Sequence, residues 1–265
     1  MNATTAMLEE FLPADGPHTR PGPKEVHLWS ANLNPPAWQV DRLYPLLSPD
    51  EVDRAERYRF PQHRRRSIVR RGLLRLLIGS YLDLDPAGVR FSYGKRDKPS
   101  VAEGSDGATC AAERFHFNLS DSEDLVLYAF AFGCELGVDA EMLRTISDAE
   151  SISKNFFSAQ ECEVLLGVEP ERRSEAFLNC WTRKEAYIKA IGEGLSEPLD
   201  RFSVTLRPGE PARFLHFADR PEEVAAWSLF HLLPAPGAVG ALALRGQGWK
   251  LCSRSRLMPC GIAGD

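Results

Sequence analysis

The sequence lacks any apolar run near the ~20 residues needed to cross a bilayer, and Met1 to Glu10 lacks the basic-then-apolar order of a secretory leader. A cytoplasmic protein without a membrane partner is the expectation. None of the six cysteines (Cys110, Cys134, Cys162, Cys180, Cys252, Cys260) stands in a Cys-x-x-Cys pair, and none has the histidine spacing that closes a zinc site. Isolated thiols in a reducing compartment are expected instead. Basic charge is also scarce overall. With 32 Lys and Arg against 37 Asp and Glu the net charge is -5, so the chain as a whole will not coat nucleic acid.

What is present is ordinary globular material: 265 residues, 43% hydrophobic and 26% charged, enough for one large domain or two modest ones. One stretch reverses the overall charge. Between Glu51 and Arg75 the nine arginines Arg54, Arg57, Arg59, Arg64, Arg65, Arg66, Arg70, Arg71 and Arg75 face only Glu51, Asp53 and Glu56, a balance of 9 - 3 = +6. Such a run marks either a solvated helix face or a phosphate-bearing partner.

Residues 1–24, rich in Pro and Gly from position 12, read as a flexible lead, and residues 246–265 as a poorly ordered tail. Between them the pattern predicts a strand over 25–33. A helix then opens at Ser48-Pro49-Asp50-Glu51, with a serine cap and proline at the first helical position. In a second helix over 63–82, Val69, Leu73, Leu76 and Leu77 form one buried stripe, which places Arg64, Arg71 and Arg75 on or beside the opposite face. Short strands follow at 89–93, 115–120 and 125–132, the last apolar throughout and so central. Strict alternation in Phe115 to Ser120 puts His116, Asn118 and Ser120 on one face. A strand at 136–141, helices opening at Ser158 and near Ser174, and strands at 202–206, 224–232 and 239–244 complete the pattern.

This second series echoes the first. Leu47 to Glu51 matches Phe157 to Glu161, Arg65-Arg66-Ser67 matches Arg172-Arg173-Ser174, and Arg90-Phe91-Ser92 matches Arg201-Phe202-Ser203. The near-constant displacement predicts a duplicated unit. The expected fold class is α+β: a pseudo-twofold pair of similar subdomains, 25–134 and 135–245, with the active site in the cleft between them.

Two segments can carry chemistry. On a strand, Asp139 and Glu141 project together while Val138 and Ala140 point into the core. They are either a strand end reaching solvent or part of a hard-cation site of the kind magnesium prefers. On the last long helix Glu185 and Lys189 are one turn apart, with Trp181 one turn earlier. They form either a surface pair or, if Glu185 faces Asp139 and Glu141, the remainder of that site.

The chain resembles the Sfp-type 4'-phosphopantetheinyl transferases, the larger pseudo-dimeric class. The likeness rests on Ser48-Pro49-Asp50-Glu51 with its arginine-rich helix, Lys98-Pro99, Phe117-Asn118-Leu119-Ser120 and Gly137-Val138-Asp139-Ala140-Glu141. It rests above all on Trp181-x-x-Lys184-Glu185-Ala186-x-x-Lys189-x-x-Gly192-x-Gly194-Leu195, in the same order over nearly the whole folded region. The resemblance implies transfer of phosphopantetheine from coenzyme A to a serine of an acyl or peptidyl carrier protein, releasing adenosine 3',5'-bisphosphate. It implies that Asp139, Glu141 and Glu185 hold Mg2+, with Mn2+ possible, and that Glu185 helps deprotonate the serine while Lys189 steadies the leaving phosphate. Arg54, Arg64 and Arg71 would hold the nucleotide phosphates, and Lys98, Pro99 and Ser120 would line the nucleotide pocket. A monomer is expected, because a duplicated chain supplies both walls of its own site.

Two positions depart from the family pattern: Asp97 where glycine is usual, and Asp121 where a histidine touches the cofactor phosphates. At the second, repulsion is expected unless the carboxylate turns away, pairs with an arginine or joins the metal's outer shell, so Asp121→His should tighten coenzyme A binding. Two other readings use the same residues: a metal-dependent coenzyme A phosphohydrolase, and a coenzyme A-binding module impaired in catalysis.

Overall fold

The computed structural model describes residues 20–94, 98–102, 115–192 and 198–254. Asp97, Gly194, Leu195, Cys110, Cys260 and most of the expected lead and tail lie outside them. The described elements run β1 (Glu25–Asn32), α1 (Ala37–Leu43), α2 (Pro49–Glu56), α3 (Pro61–Leu82), β2 (Phe91–Tyr93), β3 (Pro99–Val101), β4 (Phe115–Ser122), β5 (Leu125–Phe132) and β6 (Leu136–Met142). They continue through α4 (Ala149–Phe156), α5 (Ala159–Leu166), α6 (Pro170–Ile191), β7 (Phe202–Val204), β8 (Phe214–Phe217), α7 (Glu223–Ala226), β9 (Trp227–Leu232), β10 (Ala238–Arg245) and β11 (Lys250–Ser253). This is a mixed α/β fold.

Two sheets lie back to back, ordered β11-β1-β5-β4 and β6-β10-β9. Between them Leu28, Leu127 and Ala129 of the first sheet meet Val138, Leu242 and Leu244 of the second in a dry layer. The opposite faces are covered by the long helices. Trp29, Tyr128 and Phe130 pack with Leu73, Leu76 and Leu77 of α3, and Val239, Ala241 and Ala243 pack with Leu178, Ala186 and Ala190 of α6. The order is therefore helix, sheet, sheet, helix, and β5 is central with both faces buried, as its unbroken apolar run requires.

Both short helices ahead of the long ones open with a Ser-x-x-Glu capping box. Ser48 N–H donates to Glu51 and Ser158 N–H to Glu161, each carboxylate reaching back over one turn.

Three expectations need correction. Arg75 does not lie on or beside an exposed face of α3; its side chain is only 1% exposed. Helices α1 and α2 and the Pro86 turn cover the far side of α3, so Ile68, Leu74 and Ile78 are buried as well as the predicted stripe. Second, part of the expected tail is structured, because Lys250–Ser253 pairs in parallel with the open edge of β1. Third, the segment expected as strand at 224–232 begins as the short helix α7.

The ordering of β11 brings Glu25, His27 and Cys252 together, the ligand-type trio whose atoms all lie within 4.8 Å of one another among the described residues. The polar atoms of Glu25 and His27 are already engaged. His27 Nδ1 pairs with the Tyr81 hydroxyl at 2.8 Å and Nε2 with Arg254 at 3.0 Å, while the Glu25 oxygens take Lys250 and Gly22 N–H. Two flanking cations make this a closed polar knot that disfavours a metal.

Candidate active site

The site forms where the edge strands β4 and β6 meet through side chains. Alternation along β4 turns Asn118, Ser120 and Ser122 toward β6, and each bonds to it in turn. Asn118 accepts from the Val138 N–H at 2.9 Å. Ser120 Oγ donates to Asp139 Oδ1 at 2.7 Å, and Ser122 Oγ donates to Glu141 Oε2 at 2.7 Å. Ser122 continues the predicted polar row two residues beyond where the sequence reading stopped, and strand period alone reaches it.

Helix α6 closes the site from above. Gly137, Asp139 and Glu141 share one face of β6, and a methyl group on Gly137 would sit 2.2 Å from the Ala186 carbonyl and 2.3 Å from the Ala190 nitrogen. The bare glycine lets the helix backbone rest on the strand, which delivers Glu185 and Lys189 over the two acids. Lys189 Nζ then reaches Asp139 Oδ1 at 2.6 Å and Ser120 Oγ at 3.1 Å.

Asp139 is 5% exposed, and its second oxygen, Oδ2, is buried without a hydrogen-bond partner. Burial raises the Asp139 carboxyl above its ordinary range, and Lys189 and Ser120 counteract that rise. Glu185 is pushed up to about 6, first by burial and then by Asp139, with Lys189 opposing and Glu141 adding. Glu141 is also paired with Arg144 at 3.0 Å. The three acids thus sense one another, while Asp139 leans on Lys189 and Ser120 and Glu141 leans on Ser122 and Arg144. Hard carboxylate oxygens, one of them buried and unsatisfied, with mutual repulsion still present, fit a divalent cation such as magnesium.

The arginine face lies on the other side of β4. A cavity of ≈ 210 Å³ is lined by Glu51, Arg54, Arg71, Tyr93, Pro99 and Asp121, among others. Arg71 Nε stands 2.9 Å from Glu51, and its guanidinium lies over the Phe91 ring. Arg54 lies over the Tyr93 ring. Arg64, by contrast, pairs with Glu56 and lines a separate groove with Ala37, Val40 and Tyr44. Ser120 belongs to the acid cluster. Lys98 donates to the carbonyls of Ala190 at 2.7 Å and Leu136 at 3.3 Å, so it ties the C-terminus of α6 to the start of β6. Asp121 is neutralised by Arg70, 2.5 Å away, an arginine not chosen from the sequence because nothing in its spacing separates it from its neighbours.

Both halves of the chain match known proteins. Residues 31–132 match the family described as 4'-phosphopantetheinyl transferase, N-terminal, and residues 135–243 match the 4'-phosphopantetheinyl transferase superfamily. The chain is 40% identical over 226 residues to the 4'-phosphopantetheinyl transferase HetI of Nostoc sp., covering 85% of this chain and 90% of that one. It is 33% identical over 192 residues to the 4'-phosphopantetheinyl transferase psf-1 of Bacillus pumilus, covering 72% and 78%. To the 4'-phosphopantetheinyl transferase Sfp of Bacillus subtilis it is 32% identical over 166 residues, covering 63% and 69%. With the acids, the lysine and the arginine cavity on the segments that the two family models match, the chain belongs to the 4'-phosphopantetheinyl transferase family, of the Sfp type.

Proposed function

We propose that this transferase moves phosphopantetheine from coenzyme A to a serine hydroxyl of an acyl or peptidyl carrier protein and releases adenosine 3',5'-bisphosphate. The observation that carries the reading is the cluster at the β4–β6 seam: a buried, half-satisfied Asp139 held by Lys189, beneath a Glu185 whose carboxyl is raised to about 6. Phosphoryl transfer asks a protein mainly for alignment and for neutralisation of developing charge. Asp139, Glu141 and Glu185 would hold magnesium, or manganese in its place, which would supply part of that neutralisation. Lys189 stands beside the same acids and steadies the leaving phosphate. Glu185 accepts the proton of the attacking serine hydroxyl, and its raised pKa brings it nearer to the working range of a general base. Arg54 and Arg71 hold the nucleotide phosphates in the adjoining cavity, with Pro99 at its wall.

In this proposal the two units, residues 25–134 and 135–245, are copies of one plan related by an approximate twofold, with the site in the cleft between them. A single chain then supplies both walls and works as a monomer. The test is intact-mass spectrometry of an apo-carrier protein incubated with this protein, coenzyme A and magnesium, with and without EDTA. The expected result is one added phosphopantetheine that EDTA abolishes. Release of nucleotide that ignores the carrier would overturn the reading in favour of hydrolysis.

A further inference from the structure

Asp121 is a carboxylate on the wall of a cavity rich in arginine. Alternation on β4 turns it away from Ser120 and toward α3, on the same face as Phe117 and Leu119. There its Oδ1 meets Arg70 Nη1 at 2.5 Å. The pair forms the partition between two cavities of ≈ 240 and ≈ 210 Å³, and Ser67, Arg70 and Asp121 line both. The neighbouring arginines are tied elsewhere: Arg66 to Asp124 at 2.8 Å, and Arg71 to Glu51 and the Tyr93 hydroxyl. Arg70 is anchored through its backbone, where the Tyr128 hydroxyl donates to its carbonyl at 2.8 Å. Its contact with Asp121 is made through Nη1, so the fork is held by one arm and its other Nη donors remain to spare.

Building on the coenzyme A reading of this cavity, we propose that Arg70 fixes a phosphate of coenzyme A at this wall and that Asp121 is its positioning residue. A lone carboxylate here would repel a polyanionic ligand. Paired, it cancels its own charge and holds a planar, bidentate-capable cation in one orientation, which lowers the ordering cost when the ligand arrives. This reverses the sign expected from sequence. Replacing Asp121 frees Arg70 from that one orientation and restores the ordering cost, so Asp121→His weakens binding.

A double-mutant cycle read by calorimetry with coenzyme A, and by the KM and kcat of carrier labelling, tests this. Arg70→Gln should weaken coenzyme A about tenfold, the loss of one charge-assisted hydrogen bond, with kcat nearly unchanged, and Arg70→Lys should recover part of the loss. Asp121→Asn should weaken binding when Arg70 is present and strengthen it in the Arg70→Gln background, where the carboxylate is pure repulsion. A purely structural pair would shift melting without that change of sign. Unchanged affinity in Arg70→Gln, or tighter binding in Asp121→Asn alone, overturns the proposal. Arg70→Lys carries the test if Arg70→Gln fails to fold. Wild-type protein that binds no coenzyme A removes the reading of the cavity and this inference with it; wild-type binding beside an indifferent Arg70→Gln removes this inference alone.

Discussion

Glu51 and Glu161 are the third residues of two capping boxes, and each buries one oxygen against a cation of the following long helix. Arg75 meets Glu51 at 2.6 Å and also donates to the carbonyls of Pro86 and Val89; Lys184 meets Glu161 at 2.8 Å and donates to those of Leu199 and Phe202. The two knots differ in what the second oxygen does. Glu51 turns it to Arg71, which faces the arginine cavity, whereas Glu161 turns it to the Val204 N–H and so pins β7. One local device thus borders an open cavity in the first unit and serves packing in the second. The use is decided by whether the neighbour is an open cavity or a strand.

The comparison breaks most sharply at the two glutamates. Removing one partner of a buried pair strands the other charge, at a cost of about 3–5 kcal/mol. Glu161→Ala and Glu51→Ala should therefore both lower the urea midpoint by a comparable amount. Only Glu51→Ala should also weaken coenzyme A in calorimetry, measured where both variants remain folded, because Arg71 loses its tether. Equal loss of affinity in the two variants would erase the distinction between a binding knot and a packing knot.

Two glycines at the contacts of the long helices sharpen it further. A methyl on Gly137 would collide with backbone of α6, whereas on Gly72 the nearest atoms are the Cβ of Leu43 at 2.7 Å and its Cδ2 at 3.0 Å, so a small shift of α1 relieves the contact. Gly137→Ala should cost about 3 kcal/mol, near the top of the range for overpacking, and Gly72→Ala about 1 kcal/mol. Only the first should lower kcat, because α6 carries Glu185 and Lys189. Thermal melts and carrier labelling on the pair of variants check both statements.

How much of this was legible beforehand follows the range of the signal. The capping boxes, the polar row of β4 and the same-face pairs Asp139/Glu141 and Glu185/Lys189 are set by helix and strand period within a few residues, and all appear where the period puts them. The burial of Arg75 depends on what covers α3 from elsewhere in the chain. So does the role of Lys98, whose partners Leu136 and Ala190 are distant in sequence. Strand β11 is four residues long and docks on a strand from the other end of the chain, so no local pattern announces it. The Arg70–Asp121 pair was visible only as an anomaly at Asp121; choosing its partner among nine arginines needed the facing of α3 and β4.

A further expected effect separates the sheets by acid. His27 on β1 is pushed down to about 4, chiefly by burial and then by Arg254, and His231 on β9 is lowered as well, by burial and then Arg183. A histidine that stays neutral when folded takes up its proton near 6.5 when unfolded, so the unfolded state binds more protons between 6.5 and about 4. Its contribution to stability is complete above 6.5 and declines as the pH falls toward about 4. At pH 5 the loss from His27 is about 2 kcal/mol on these values. Because β11 closes over His27 and brings Arg254, while β9 leaves His231 half-buried, His27→Gln should flatten the stability profile between pH 7 and 5 more than His231→Gln. Urea midpoints of the two variants across that window decide it, and equal flattening would mean that the docking of β11 contributes nothing to the burial of His27.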